Sequence, residues 1–322
     1  MAIASTLTSS DSPFVSICCP TFNHENFIED TLNGFLIQKT NFPVEILVND
    51  DCSTDRTTDI IKEYEKQFPE IIKPVYQPTN QYSKGIKPIP QVLLPRCKGK
   101  YVALCDGDDF WTDPNKLQTQ IDFLETNSEL SMCYTNFSYA NEKGEVIYES
   151  GASRKFKKTH IDHLQILEYF TPRIFTIVFR TTVLQNRVPH EISLVPNGDI
   201  FLCALLTQQA PAAYLDFISG CHRLNKNSVY ATKPILEKNE MTIKTLNVLK
   251  KYFVQPDEQR AINSHLSRKK IIEAYCQLRK LKIAAALRAM ATSLKYSRKP
   301  YREVFKLLRN NKILWRLDDG PN

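Results

Sequence analysis

Between Tyr101 and Trp111 a short apolar run, Tyr101-Val-Ala-Leu-Cys105, feeds straight into Asp106-Gly-Asp108-Asp109, three carboxylates packed around one glycine. A run of β-branched and aromatic residues without polar alternation suits a strand covered on both faces of its sheet. The acids that follow are not ordinary turn chemistry, because neighbouring like charges repel unless a cation, a basic side chain or water relieves them. Hard divalent cations such as magnesium and manganese are held by one or two carboxylates, with substrate phosphates completing the shell. A solvated acidic turn is the competing reading of an isolated Asp-Gly-Asp. Its place at the end of an apolar strand favours a ligand site, since open α/β sheets bind ligands outside the carboxyl ends of their strands.

The chain before this cluster repeats the pattern. Phe14-Val-Ser-Ile-Cys-Cys-Pro20 reads as a first strand, stopped by Pro20 for want of an N–H, with Thr21-Phe22-Asn23 as the turn. Glu25 to Gln38 carries an apolar stripe at helical spacing, Phe27, Ile28, Leu32, Phe35 and Leu36. Val44 to Val48 is a second buried strand running into Asn49-Asp50-Asp51, and Ser53-Thr54-Asp55 supplies cap chemistry for a helix from Arg56 to about Phe68. Ile71 to Tyr76 is a third strand. A polar loop over Gln77–Gly85, a short helix around Ile89–Cys97, the strand at Tyr101 and a helix over Asn115–Glu125 follow. Alternating strands and helices at this spacing predict a parallel sheet with right-handed crossovers.

Beyond Leu130 the pattern changes to strands without regular helices between them, Ser131–Tyr139, Glu145–Tyr148 and Ile174–Phe179, which predicts a mixed or antiparallel extension. Gly198-Asp199 opens an apolar helix to Leu206, and Ala212 to Ile218 is the last strand. From about Ile235 the composition is helical. From Glu237 to the end there are 20 Lys/Arg against 8 Asp/Glu, leaving 22 against 27 before it, so an acidic body carries a basic tail within a net charge of +7. Two regions are expected, a catalytic domain over 1–235 and a basic helical region over 236–322.

Several classes are disfavoured. With 42% hydrophobic and 24% charged residues the chain reads as globular, and no run of eighteen apolar residues marks a membrane span. Met1 to Pro13 lacks a signal pattern, and nine cysteines without a C-x-x-C pair read as reduced, buried thiols, both pointing to the cytoplasm. Neither Gly-x-Gly-x-x-Gly nor Gly-x-x-x-x-Gly-Lys is present.

Pro20-Thr21-Phe22-Asn23, Asn49-Asp50-Asp51-Cys52-Ser53-Thr54-Asp55 and Asp106-Gly-Asp108-Asp109, in this order and spacing, resemble the family-two glycosyltransferases over about the first 230 residues. Phe110-Trp111-Thr112-Asp113-Pro114 with Lys116-Leu117 resembles a bacterial branch acting on surface polysaccharides. The resemblance implies an inverting enzyme of the GT-A fold, a Rossmann-like α/β architecture with a mostly parallel sheet, a mixed extension and C-terminal helices. It implies a nucleotide-sugar donor, a UDP-sugar, and a glycan or lipid-linked glycan acceptor.

By the same resemblance Pro20, Thr21, Phe22 and Asn23 line the nucleotide. Asp51 accepts from the uracil imide N–H, Asp106 faces the ribose, and Lys84 reaches the donor or stays solvated. Asp108 holds a divalent cation, Mn2+ or Mg2+. Asp199 is the general base, or else a helix-start acid favoured by the macrodipole. Arg223, Asn225 and Ser228 are diphosphate contacts or plain surface. Many relatives have Tyr-Arg-x-His where this chain has His222-Arg223-Leu224-Asn225, so Asn225 stands in place of a His that contacts metal or diphosphate, and His222 reads as a packing or hydrogen-bonding residue rather than a ligand.

Two other readings compete: a sugar-phosphate nucleotidyltransferase, disfavoured by the lack of a Gly-rich first turn, and a nucleic-acid-binding protein using the basic tail, which has no recognisable module. No nucleic-acid partner is expected. For the tail, with Trp315 near its end, peripheral contact with the anionic inner face of the membrane stands beside simple packing on the catalytic body.

Overall fold

The computed structural model describes residues 12–148, 160–169, 171–184, 188–225, 232–280 and 282–296. The expected apolar runs become strands β1 (Val15–Thr21), β2 (Val44–Asp50), β3 (Ile72–Tyr76) and β4 (Tyr101–Leu104), with α1 (Ile28–Leu36) and α2 (Thr57–Gln67) in the first two crossovers. β1 pairs in parallel with both β2 and β4, and β2 with β3. The order β3-β2-β1-β4 therefore reverses direction at β1, and its carboxyl end opens on the crevice where such sheets take ligands.

The remaining elements are β5 (Phe110–Trp111), α3 (Lys116–Thr126), β6 (Met132–Ala140), β7 (Val146–Tyr148), β8 (His160–Ile161), α4 (His163–Tyr169), β9 (Val178–Arg180), α5 (Gly198–Gln209) and β10 (Ala212–Arg223). β9 lies antiparallel between β4 and β6, β10 runs parallel to β6, and β5 pairs antiparallel with β10. The mixed extension expected after Leu130 is present. β1, β2 and β4 are buried along almost their whole length, with Ile28, Leu32 and Phe35 of α1 and Leu117, Ile121 and Leu124 of α3 in the same core. That two-sided cover is why their sequences are apolar without alternation.

Three local expectations need correction. Pro20 does not stop β1, which continues to Thr21 in register with β2. The Pro20 carbonyl faces the acid turn and accepts from Gly107 N at 3.0 Å, so its missing N–H falls on the side where β4 has already ended. The helix around Ile89–Cys97 is instead a π-helical turn (Pro88–Leu93) and a 3-10 turn (Leu94–Arg96), because Pro88, Pro90 and Pro95 remove the donors a regular α-helix needs. The start of the Ile174–Phe179 strand is a 3-10 turn, Ile174–Thr176, whose carbonyls bond to side chains: Phe175 O accepts from Trp111 Nε1 at 2.9 Å and Thr176 O from Gln120 Nε2 at 3.0 Å.

The chain divides into two compact units. One comprises Met1–His163, Thr171–Ser193 and Leu202–Lys226 and holds the whole sheet. The other comprises Leu164–Phe170, Leu194–Phe201 and Asn227–Asn322, with helices α6 (Ile235–Tyr252), α7 (Pro256–Arg279) and α8 (Ile283–Tyr296). Its core includes Phe201 against Tyr252 and Phe253, at ring separations of 5.3 and 6.2 Å. α7 starts with a capping box, Gln255 N donating to Glu258 at 3.0 Å, ahead of Pro256, which needs no donor at that position. Among the described residues no helix is long and apolar enough to cross a membrane.

Candidate active site

Three turns leave the carboxyl ends of β1, β2 and β4, and side chains lock them to one another. After β1, Asn23 adopts φ +54°, a conformation Asn tolerates. Its Oδ1 accepts from Thr54 N at 2.8 Å while its own N–H donates to Ser53 Oγ at 2.9 Å, tying the first turn to the second. Asp55 strengthens the tie by accepting from Glu25 N at 3.1 Å and Thr57 N at 3.0 Å. Burial pushes the Asp55 carboxyl up, but those hydrogen bonds outweigh it and hold the group below its ordinary value. Asp50, at the end of β2, is spent structurally on Ser53 and Thr58.

Asp51 is buried, and its two oxygens accept from Gln81 N at 2.7 Å and Tyr82 N at 2.9 Å. A carboxylate offers about four lone-pair sites, so this pins the polar loop and still leaves acceptor capacity. Lys84, on that loop, is exposed and donates to Thr79 Oγ1 at 2.6 Å. Phe22 is one of the large apolar side chains left open to solvent, at 37% exposure, beside the buried Thr21.

The acid turn after β4 sits directly on the first turn. A Cβ at Gly107 would come within 2.7 Å of Thr21 Oγ1 and 2.9 Å of His24 Nδ1, so only glycine permits this approach. Asp106 is half-buried. Asp109 points inward: it is 4% exposed, and its Oδ1 accepts from Arg223 N at 2.9 Å and faces His222 Nδ1 at 2.9 Å. His222 is thus the hydrogen-bonding residue the sequence suggested. Asp108 is the acid left at the rim, with its side chain 20% exposed. Burial and then the charge of Asp109 raise its carboxyl above the ordinary value, opposed by His24, His222 and a hydrogen bond from Asn225. His24 Nε2 lies 4.0 Å from Asp108 Oδ2, and its Nδ1 3.1 Å from Thr21 Oγ1.

Arg223, expected near a diphosphate, is buried. Its guanidinium donates to Asp30 Oδ2 at 2.6 Å, the Glu142 carbonyl at 2.8 Å and the Asp108 carbonyl at 3.1 Å, between the rings of Phe27 and Phe110. Asn225 is 5% exposed, and Ser228, like Trp315, lies outside the described residues. Asp199 occupies the first turn of α5.

Sequence reasoning missed His24, Asp30 and Thr31. Thr31 Oγ1 lies 2.8 Å from the Asp109 carbonyl and 3.1 Å from that of Gly107, bracing the acid turn from α1. A His one residue past the first turn was a signal available for His24. Asp30 reads as an ordinary first-turn helix acid, and nothing in its spacing announces Arg223.

The arrangement suits a hard divalent cation. Burial and the neighbouring Asp109 disfavour the charged form of Asp108, which a cation would favour, and oxygen donors of Asp and Asn are the types such ions take. Among the described residues no group of three His, Cys, Asp or Glu side chains converges on one point, so such an ion would draw most of its shell from ligand oxygens and water.

Residues 16–184, just over half of the chain, match the family described as Glycosyl transferase family 2. An uncharacterised protein of Mycobacterium tuberculosis (strain H37Rv) is 39% identical over 138 residues, 43% of this chain and 37% of its own length. The matching stretch thus spans well under half of that relative. Escherichia coli WfgD, named UDP-Glc:alpha-D-GlcNAc-diphosphoundecaprenol beta-1,3-glucosyltransferase, is 28% identical over 225 residues, 69% of this chain and 82% of WfgD. Among solved structures, S. aureus TarS 1–349 in complex with UDP-GlcNAc superposes with a TM-score of 0.57 at 18% identity, covering 87% of this chain and 91% of that one. That likeness gives the fold, GT-A.

Proposed function

The chain belongs to glycosyl transferase family 2, and from that membership we propose that it moves a sugar from a nucleoside-diphosphate donor, a UDP-sugar, to an acceptor hydroxyl with inversion, in the building of a bacterial glycan. The observation that carries this reading is the locking of the turns after β1, β2 and β4 at the reversal point of the sheet, with Asp108 left at the rim. The name of WfgD supports a uridine donor and a lipid-linked glycan acceptor.

In this reading Pro20, Thr21, Phe22 and Asn23 line the nucleoside, with exposed Phe22 offering a ring face to the base. Asp51 uses its remaining lone pairs for the imide N–H, and Asp106 takes the ribose side. Lys84 would reach the donor, Asn225 and, by the family resemblance, Ser228 would contact the diphosphate, and Arg223 acts there by holding the Asp108 backbone. Asp108 would hold manganese or magnesium, which neutralises charge developing on the departing diphosphate. Asp199 would take the proton of the acceptor hydroxyl as it attacks from the face opposite the leaving group. The reading places the enzyme in the cytoplasm at the inner face of the membrane, with the basic region over 236–322 toward anionic lipid.

A thermal-shift panel of nucleotide-sugars with and without manganese tests the proposal. A ligand bound only by the native state raises the melting temperature. UDP-sugars are expected to do so, more with manganese than without. No response to any nucleotide-sugar would overturn the reading.

A further inference from the structure

Helix α8 has two apolar faces where a helix packed on one side needs one. Ala286, Ala289 and Ser293 are buried, and Ser293 Oγ meets Ser267 Oγ of α7 at 2.9 Å. With 3.6 residues per turn, Ile283, Leu287, Met290 and Leu294 fall within an arc of about 60°, roughly 100° round from the buried row. These four side chains are 61, 65, 38 and 57% exposed. A contiguous apolar row left in water on a helix marks a surface for something else.

Charge identifies the occupant. From Arg279 to Tyr296 the cations are Arg279, Lys280, Lys282, Arg288 and Lys295, with no Asp or Glu among them. Lys280, Lys282, Arg288 and Lys295 are exposed. We propose that this face of α8 is an in-plane anchor that seats on an anionic lipid bilayer, the apolar row entering the headgroup boundary and the cations reaching the phosphates. The proposal rests on the functional reading above only for its purpose, which is to hold the enzyme where a lipid-linked acceptor lies.

A bilayer fits both halves of this surface. Apolar side chains on one face with Lys and Arg beside them describe a helix that lies in the interface, with the long cationic stems snorkelling to the headgroups. A second copy of the same face would bring cation against cation, which disfavours pairing. A nucleic acid would use the cations and leave the apolar row in water.

The test is sedimentation of the full chain with vesicles of phosphatidylglycerol and phosphatidylethanolamine, against phosphatidylcholine alone. Binding is expected to the anionic vesicles, weakened by salt, and lowered about tenfold or more in Leu287→Asp/Leu294→Asp. A second variant, Arg288→Gln/Lys295→Gln, leaves the apolar row intact and is expected to lose the preference for anionic vesicles. Matching melting curves establish that both variants fold. Equal sedimentation of wild type and the leucine variant, or equal binding to neutral vesicles, would overturn the proposal, as would a lipid-free dimer that the leucine variant dissociates. Donor-induced thermal shifts on the same samples keep the two readings apart: a chain that binds vesicles through α8 and no nucleotide-sugar sinks the functional reading alone.

Discussion

Arg223 Nε donates to the main-chain carbonyl of Asp108 at 3.1 Å, while Nη2 of the same guanidinium bonds Asp30 Oδ2 at 2.6 Å. One buried side chain at the end of β10 thereby joins α1 to the backbone of the acid turn that carries Asp108.

Arg223→Lys is expected to loosen that turn. A lysine cannot reproduce the guanidinium fork, so at least two acceptors lose their donor, at a cost of about 2–3 kcal/mol. Urea unfolding measures the loss, and manganese titration should show weaker binding. Unchanged midpoints would mean the contacts carry no stability.

Asp108→Asn is expected to abolish manganese-dependent donor binding while leaving the fold intact. The raised carboxyl means the folded state disfavours the charged form of Asp108. Removing it should therefore hold or raise metal-free stability. A fall in melting temperature would contradict this sign.

Lys116 gives a pH dependence. It is fully buried, its Nζ bonded to Gln120 at 2.6 Å over the ring of Trp111, and burial pushes its amine down to about 7. Between about 7 and the ordinary lysine value the unfolded chain binds a proton that the folded chain does not, so this group makes stability rise with pH, by at most about 1.4 kcal/mol per unit. Lys116→Met removes the term. Unfolding at pH 7 and 8.5 should show wild type gaining on the variant; parallel behaviour would refute it.

Asp199→Asn is expected to lower the transfer rate by about 100-fold or more, with donor-induced thermal shift and fold retained. Transfer at the wild-type rate would remove Asp199 from the base role.

Much of the site was legible because its parts are local. The strands over Val15–Thr21, Val44–Asp50 and Tyr101–Leu104 announced themselves by unbroken apolar runs, which a two-sided sheet core demands. The turns after them carried their polar residues within a few positions. The basic composition of the C-terminal helices was equally plain.

Near-neighbour patterns were enough for the order of strands and turns, the family they resemble, and which acids stand at strand ends. That Asp109 turns away from the other two acids took the folded chain to show. Asp109 is drawn inward by His222 and the Arg223 backbone, residues more than a hundred positions away, and Asp108 is left at the rim. The fold also decided that Arg223 clamps backbone from a buried position, and that Ile283, Leu287, Met290 and Leu294 face water. The physical reason is the same in each case: periodicity and turn chemistry act between near neighbours, whereas burial and charge pairing depend on which distant segments the sheet brings together.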